Sequence, residues 1–308
     1  MKRLHSFILS VGGFYRGNTA GIIGTTIVAL ITVMCLAAPA LTQYDPDKRV
    51  ARGHQPPSAE HVMGSTRAGK DVWSQALYGG RVSLFVAFAA ATVTSVIALA
   101  VGVSSGYFGG RTDEIMMAVT NVMLVFPQLP LLIILAAFLG NVGPGIIALI
   151  LGLTSWPWGA RVMRSQTLAI RKREFITAAE IMGESRWRII VVEIMPNLIS
   201  LAAGMFVGTA LYAIGAQAGL EFLGLGDPTV ISWGTMLYWA QSSSAFYVGA
   251  WWDFIVPGTF VALVGGGLAL INISIDQVSN PKLKTGSFLK RWRKLNAEVE
   301  AKRAGVAR

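Results

Sequence analysis

The stretch from Ile115 to Ala160 reads IMMAVTNVMLVFPQLPLLIILAAFLGNVGPGIIALILGLTSWPWGA and contains no Asp, Glu, Lys or Arg over 46 residues. The hydrocarbon core of a bilayer is about 30 Å thick, so an α-helix needs about 20 apolar residues to cross it. This stretch is therefore long enough to cross a membrane twice. Because Gly and Pro are the strongest local breakers, the run Gly140–Gly145 predicts the turn between the two crossings.

Four other parts of the chain are also free of charged residues. They cover residues 17–44, 82–110, 194–220 and 254–275, and each is at least 22 residues long. In lipid, backbone groups must satisfy their hydrogen bonds within the chain, so each crossing should be helical. We therefore predict an all-α, polytopic membrane protein with six transmembrane helices, near residues 19–41, 83–105, 115–139, 145–160, 198–219 and 254–275.

The composition supports the same class. Only 14% of residues are charged and 53% are hydrophobic, whereas a soluble domain has roughly 25% charged residues. The first apolar run is too long for a signal-peptide core, and five more follow, so we interpret it as a retained helix. The single Cys35 excludes a disulfide within the chain and a cysteine-based metal site.

Basic residues indicate the orientation, because Lys and Arg accumulate in cytoplasmic loops. The termini and the loops on their side carry 20 of the 26 Lys and Arg residues, and the opposite side carries 6. The net charge of +10 is explained by this cytoplasmic bias and by attraction to anionic lipid. We therefore predict no nucleic-acid partner. The predicted organisation is a cytoplasmic N-terminal segment 1–18, a transmembrane domain 19–280 with extracytoplasmic loops 42–82 and 220–253 and a cytoplasmic loop 161–197, and a basic cytoplasmic tail 281–308.

Signals for enzymatic chemistry are weak. The segment Gly64–Asp71 nearly matches a nucleotide-binding P-loop, but Asp71 stands where that loop needs a Ser or Thr hydroxyl for magnesium. The three His residues show no paired spacing with a carboxylate. We therefore predict no catalytic residue, no metal site and no cofactor bound by this chain. The aromatic-rich stretch 233–252 predicts a short interfacial or surface helix.

The loop 161–197 contains the segment EFITAAEIMGESRWRIIVVEIMPN, residues 174–197. It predicts a short helix in which Ala178 and Ala179 form a small-residue face, a turn at Gly183 in a positive-φ conformation, and a second helix ending at Pro196. Such a hairpin suits docking into a partner's groove. An amphipathic connector lying on the membrane surface explains the same pattern.

Ala178, Ala179, Gly183 and Pro196 resemble the EAA coupling loop of bacterial binding-protein-dependent ABC importer permeases. Thr177 stands where many members of that family have an acid. The resemblance implies that these residues and Glu180 contact an ATPase.

Further motifs resemble the C-type permeases of the dipeptide and oligopeptide importers, and they lie at 61–84, 106–114, 222–226, 232–234 and 281. The resemblance implies the type I ABC importer permease fold in a bacterial or archaeal plasma membrane. It also implies a homologous second permease, two ATPase subunits that carry ATP and magnesium, and an extracytoplasmic substrate-binding protein.

Polar residues in or near the spans are candidates for the translocation pathway. These are Asn121, Gln128, Gln217 and Glu221, and hydrogen bonding between helices would explain them equally well. Peptides are the expected substrate by resemblance, with oligosaccharides as an alternative. A channel or a membrane enzyme without ATPase partners is the alternative from another class.

Overall fold

A computed structural model describes residues 18–279 and the single positions 292 and 296. Between residues 18 and 279 the chain forms helices and connecting segments, without a β-strand. The helices are α1 (Thr19–Leu36), α2 (Ala38–Leu41), α3 (Val72–Phe108), α4 (Gly110–Val125), α5 (Gln128–Leu139), α6 (Pro144–Arg171), α7 (Glu174–Ile181), α8 (Arg186–Phe222), α9 (Trp233–Ser242) and α10 (Trp252–Ser279). Both predicted terminal segments lie outside the described residues for most of their length.

Five of these helices, α1, α3, α6, α8 and α10, are long and apolar enough to cross a membrane. The pair α4 and α5 makes a sixth crossing if it counts as one bent span. The predicted all-α, six-span architecture is confirmed in this form. The orientation of the termini stays a prediction from the distribution of basic residues.

The predicted third span, 115–139, is broken rather than straight. The axes of α4 and α5 differ by 83°. Phe126, which precedes Pro127, has an extended backbone with φ −74° and ψ 126°, because the proline ring disfavours a helical conformation in the residue before it. The break removes a straight crossing at this position.

Helix α3 begins at Val72 rather than near residue 83. Asp71 caps it, since its carboxylate accepts a hydrogen bond from the Ser74 backbone N–H at 2.8 Å. Arg81 lies inside the helix and donates to two carbonyl oxygens at the end of α1, Cys35 O at 2.7 Å and Leu36 O at 2.6 Å. These carbonyls form the negative end of the α1 dipole, so the charge of Arg81 is compatible with a continuous helix.

Helix α6 also exceeds its prediction, since it continues past residue 160 to Arg171. Two arginines in the added part have partners on α4. Arg161 Nη2 donates to Asn121 Oδ1 at 2.6 Å, and Arg164 pairs with Asp113. The hairpin loop predicted over 161–197 is therefore mostly helical.

Close approaches between glycine and backbone hold the bundle together. A Cβ added to Gly24 on α1 would lie 2.5 Å from the Gly267 carbonyl oxygen on α10, and one added to Gly102 on α3 would lie 2.6 Å from the Ala160 oxygen on α6. Small residues allow helices in lipid to pack at such short range. Helix α3 occupies the centre and contacts α1, α6, α8 and α10.

The end of the bundle opposite the 174–197 hairpin is covered by residues 42–71 and by α9. Trp233 is fully buried, stacks on Phe260 with ring centroids 5.6 Å apart, and donates from Nε1 to Ala76 O at 2.9 Å. Trp252 is also buried and donates to Ser65 O at 3.1 Å. The interpretation of the aromatic stretch as interfacial is wrong for these two tryptophans, because the protein core satisfies both rings and both N–H groups.

Candidate functional site

The hairpin of residues 174–197 is present, and Gly183 makes its turn. Gly183 has a φ of +78°, and a Cβ added to it would meet no atom within 4 Å. Glycine is therefore needed at this position for its left-handed backbone conformation, which glycine adopts without steric cost. After the turn, Ser185 caps α8, with its hydroxyl oxygen accepting from the Arg188 N–H at 3.4 Å.

Ala178 and Ala179 do not form one face. Ala178 is exposed, while Ala179 is only 5% exposed. Successive helical residues point about 100° apart, so the two methyl groups face different surroundings. Ala179 packs α7 onto this chain's own buried cluster, which contains Val103, Tyr107, Ile170, Ile176, Ala179, Ile189, Ile190, Ile194 and Leu198.

The outer face of the hairpin is apolar. Phe175, Ala178, Ile181 and Met182 recur at helical spacing and are exposed, and Trp187 follows after the turn. Ile181 is 81% exposed and Trp187 is 72% exposed. We call these five residues the hairpin patch, and exposed Thr177 and Glu180 lie beside it in sequence. Large exposed apolar side chains grouped in this way mark interaction surfaces.

The sequence predicted that a helix ends at Pro196. In the structure the helix continues past it. Pro196 lies exposed within α8, just after a π-helical stretch at Ile189–Ile194. Pro lacks an N–H and its ring crowds the carbonyl four residues earlier. In the widened stretch the Met195 N–H donates to Ile190 O, five residues back, so the helix continues and α8 is one helix of 37 residues.

A cleft of about 920 Å³ lies among α3, α5, α6, α8 and α10. Most polar residues that line it are uncharged: Thr94, Gln128, Ser155, Gln166, Asn197, Ser200, Thr209, Tyr212 and Asn272. Asp276 is the acidic residue among those that line it. The Tyr212 hydroxyl is buried and lacks a hydrogen-bond partner among the described residues. The cleft therefore offers amide and hydroxyl groups to a polar, hydrated solute.

Of the four predicted pathway residues, the structure brings Gln128 to the cleft, where its Nε2 donates to Ser155 Oγ at 2.7 Å. Asn121 lies outside it and accepts from Arg161. Asn197, Tyr212 and Asn272 line the cleft and were missed. Asn272 carried a signal, since it is an amide inside a predicted apolar span.

Gln217 and Glu221 are buried together at the other end of α8. Gln217 Nε2 donates to Glu221 Oε1 at 3.0 Å, and the Ser232 hydroxyl donates to Glu221 Oε2. A Cβ added to Gly234 would lie 2.4 Å from Glu221 Oε2. These contacts join the end of α8 to the start of α9, which is a packing role rather than a place on the cleft wall.

A bundle of membrane-spanning helices with a polar cleft and an exposed apolar hairpin defines a transport permease. The sequence model of the family described as "Binding-protein-dependent transport system inner membrane component" matches residues 98–284. That of "N-terminal TM domain of oligopeptide transport permease C" matches residues 15–57. The chain belongs to this family of permeases, and the resemblance noted from its motifs is confirmed.

Curated relatives align along most of their length. The chain is 30% identical over 272 residues to the oligopeptide transport system permease protein OppC of Bacillus subtilis, covering 88% of each chain. It is 32% identical to the dipeptide transport system permease protein DppC of the same organism, covering 87% of this chain and 84% of that one. It is 34% identical to OppC of Mycobacterium bovis, covering 83% and 88%.

The fold is also found in a solved structure. A chain of the MetNI methionine ABC transporter in an inward-facing conformation superposes with a TM-score of 0.52 at 20% identity. The match covers 68% of this chain and 96% of that chain. The likeness confirms the importer permease fold.

Proposed function

We propose that this chain is the permease subunit of an ATP-driven, binding-protein-dependent importer and forms half of a translocation pathway for peptides. The names of the relatives at 30 to 34% identity support this class of substrate. The observation that carries the proposal is the continuity of α8. It begins beside Trp187 in the hairpin patch and supplies Asn197, Gly204 and Tyr212 to the cleft wall.

The hairpin patch is the proposed contact with a cytoplasmic ATPase subunit. A groove on the ATPase would cover Ile181, Met182 and Trp187, whose apolar surface is otherwise exposed to water if the hairpin lies in the cytoplasm. Thr177, Ala178 and Glu180 would lie at the same contact. Closure of two ATPase subunits around ATP and magnesium would then move α8, and with it the cleft wall, from inward-open to outward-open.

A homologous second permease is the proposed second half of the pathway. Helices α4 and α5 expose Val125, Ile134 and Phe138. Such apolar groups fit either lipid or a neighbouring permease. An extracytoplasmic binding protein would deliver the peptide to the end formed by residues 42–71 and α9. The assembly would reside in a bacterial or archaeal plasma membrane, with the basic tail in the cytoplasm.

The proposed mechanism in the cleft is displacement of water by peptide amides. Asn197, Gln128 and Ser155 offer donors and acceptors, so a peptide can exchange hydrogen bonds with uncharged groups over most of the cleft, where Asp276 is the charged lining residue. A pathway that held one charge tightly would release its cargo slowly. This favours a cleft of moderate affinity that accepts varied side chains.

Purification of the tagged chain together with its genomic neighbours tests the proposal. We expect two ATPase subunits and one homologous permease to co-purify, and proteoliposomes holding the assembly to import short peptides only when ATP and a binding protein are both supplied. A matched preparation with an ATPase catalytic glutamate changed to glutamine should bind but not import. Uptake by the chain alone would overturn the proposal.

A further inference from the structure

A second cavity, of about 720 Å³, lies at the end of the molecule opposite the hairpin. Its walls come from residues 47–75, residues 228–243 and Asp253 at the start of α10. The 920 Å³ cleft shares no lining residue with it. It is thus a separate concave site, in a size range that holds a small ligand.

Asp253 has a buried carboxyl group that the protein leaves incompletely paired. Asp253 is 4% exposed, and its Oδ1 has no hydrogen-bond partner among the described residues. Its Oδ2 lies 3.4 Å from His54 Nδ1, which is longer than a strong charge-assisted hydrogen bond. Burying a carboxylate oxygen without a partner costs the free energy of removing that atom from water. Such a group therefore requires an explanation, and an absent ligand is one.

The neighbouring groups do not neutralise Asp253. Burial and the charge of Arg67 hold the pKa of His54 below its usual value, which disfavours the charged imidazolium beside Asp253. Lys70 is paired with Asp47 at 3.1 Å. Among residues 18–279, Lys and Arg side chains form no ion pair with Asp253.

Arg67 and Lys70, the latter paired with Asp47, also line the cavity, and the remaining wall offers surface for the short stem of an amine. Val72, Ile231 and Met236 provide an apolar lining, and Thr235 and Gln75 add polar atoms. The half-exposed Trp239 ring also borders the cavity, and its N–H is used on Pro228 O at 3.0 Å, which leaves the ring face for a cation.

We propose that this cavity binds an ammonium group on a short aliphatic or peptidic stem, with Asp253 as its counter-ion. The amino terminus of a short peptide and the side chain of a lysine share this chemistry. An amine in the cavity would supply the counter-charge that Asp253 lacks, while its stem would lie against Ile231 and Met236. The site is additional to the proposed pathway, since its residues are distinct from those of the cleft.

Protection of an introduced cysteine tests the proposal in the assembled transporter in nanodiscs. Native Cys35 is fully buried, and Ser242 is an exposed residue at the cavity, so Ser242→Cys provides an accessible thiol in this chain. The probe is n-butylamine, the neutral control is 1-pentanol, and the readout is the rate at which a methanethiosulfonate reagent labels this chain. At a probe concentration about four times Kd, mass action predicts that labelling slows about 5-fold.

We expect n-butylamine to protect, 1-pentanol not to protect, and Asp253→Asn to remove the protection. Absence of protection, equal protection by 1-pentanol, or unchanged protection in Asp253→Asn would each overturn the proposal. If Asp253→Asn fails to assemble, the comparison of the two probes on the native background still decides it.

Ala-Ala and N-acetyl-Ala-Ala identify the source of the ammonium group. Protection by n-butylamine and by Ala-Ala, but not by N-acetyl-Ala-Ala, identifies a free peptide. Protection by n-butylamine without protection by Ala-Ala identifies an isolated alkylammonium such as a lysine side chain. Either result upholds recognition of the ammonium group. Because these measurements need neither ATP nor uptake, their failure would leave the proposed import function untouched.

Discussion

Arg164 holds Asp113 through two hydrogen bonds, Nε to Oδ1 and Nη2 to Oδ2, each 2.5 Å long. The Ser105 hydroxyl donates to the same carboxylate. Since these residues lie on α6, α4 and α3, one carboxylate joins three helices near the hairpin. A bidentate arginine pair is stronger and more specific in geometry than a single contact.

The first prediction is that Arg164→Gln and Asp113→Asn each destabilise the chain, and that their effects are not additive. Each change leaves the other partner without its charge complement, so we expect a coupling free energy of about 1 to 3 kcal/mol in a double-mutant cycle. Unfolding by SDS titration in mixed micelles measures it. Arg111→Gln is the control, because Arg111 is exposed and forms no ion pair among the described residues. Additive effects of the changes at Arg164 and Asp113 would contradict the prediction.

The second prediction separates Ala178 from Ala179. Ala179→Leu forces a larger side chain into the cluster beneath α7, and overpacking of this kind usually destabilises by about 1 to 3 kcal/mol. Ala178→Leu points outward and should leave the unfolding free energy unchanged while it alters ATPase binding. Thermal stability and co-purification of the ATPase, measured on both variants, check this, and equal loss of stability in the two would show that the assignment of faces is wrong.

The third prediction concerns the centre of the hairpin patch. Ile181→Asp places a charge where the proposed ATPase contact needs an apolar anchor, so affinity for the ATPase should fall about 10-fold or more. Folding should be unaffected, because Ile181 is 81% exposed. Binding of labelled ATPase to nanodiscs measures the effect. The control is Val62→Asp, because Val62 is an exposed residue at the other end of the molecule, and this variant should bind the ATPase normally. If Ile181→Asp kept its affinity for the ATPase, the hairpin patch would not be the ATPase contact.

The fourth prediction compares two helical glycines. Gly24→Ala would bring a methyl group within 2.5 Å of the Gly267 oxygen, which cannot move without shifting α10, so we expect a loss of about 1 to 3 kcal/mol. Gly215→Ala meets no atom within 4 Å and should be neutral or slightly stabilising, since alanine favours the helix by about 0.5 to 1 kcal/mol. The same SDS titration measures both, and a neutral Gly24→Ala would contradict the close packing of α1 on α10.

The distribution of charged residues alone located the apolar part of every membrane helix, because lipid penalises an unpaired charge in any fold. It misplaced several helix ends, because a paired charge can lie inside a helix. Arg81, Arg161 and Arg164 appeared to terminate spans, but each lies inside a helix and has a partner on a neighbour. A single sequence does not show which charges will be paired by tertiary contacts.

The distribution of charged residues also does not reveal the break between α4 and α5, because Phe126 and Pro127 are uncharged. The proline itself was the available signal. At the hairpin, the turn at Gly183 followed from the sequence, and its φ of +78° confirms it. The separation of Ala178 from Ala179 depends on which side of α7 meets the buried cluster, and this is settled only when Ile176 and Ile190 pack together.

The continuity of α8 past Pro196 sets the scale of motion that the molecule can transmit. At about 1.5 Å per residue, its 37 residues make a rod about 55 Å long. A tilt of about 10° pivoting at one end would displace the other by roughly 10 Å. A small tilt of α8 about Trp187 therefore becomes a displacement of several ångströms at Glu221, whose carboxyl group accepts a hydrogen bond from Ser232 at the start of α9.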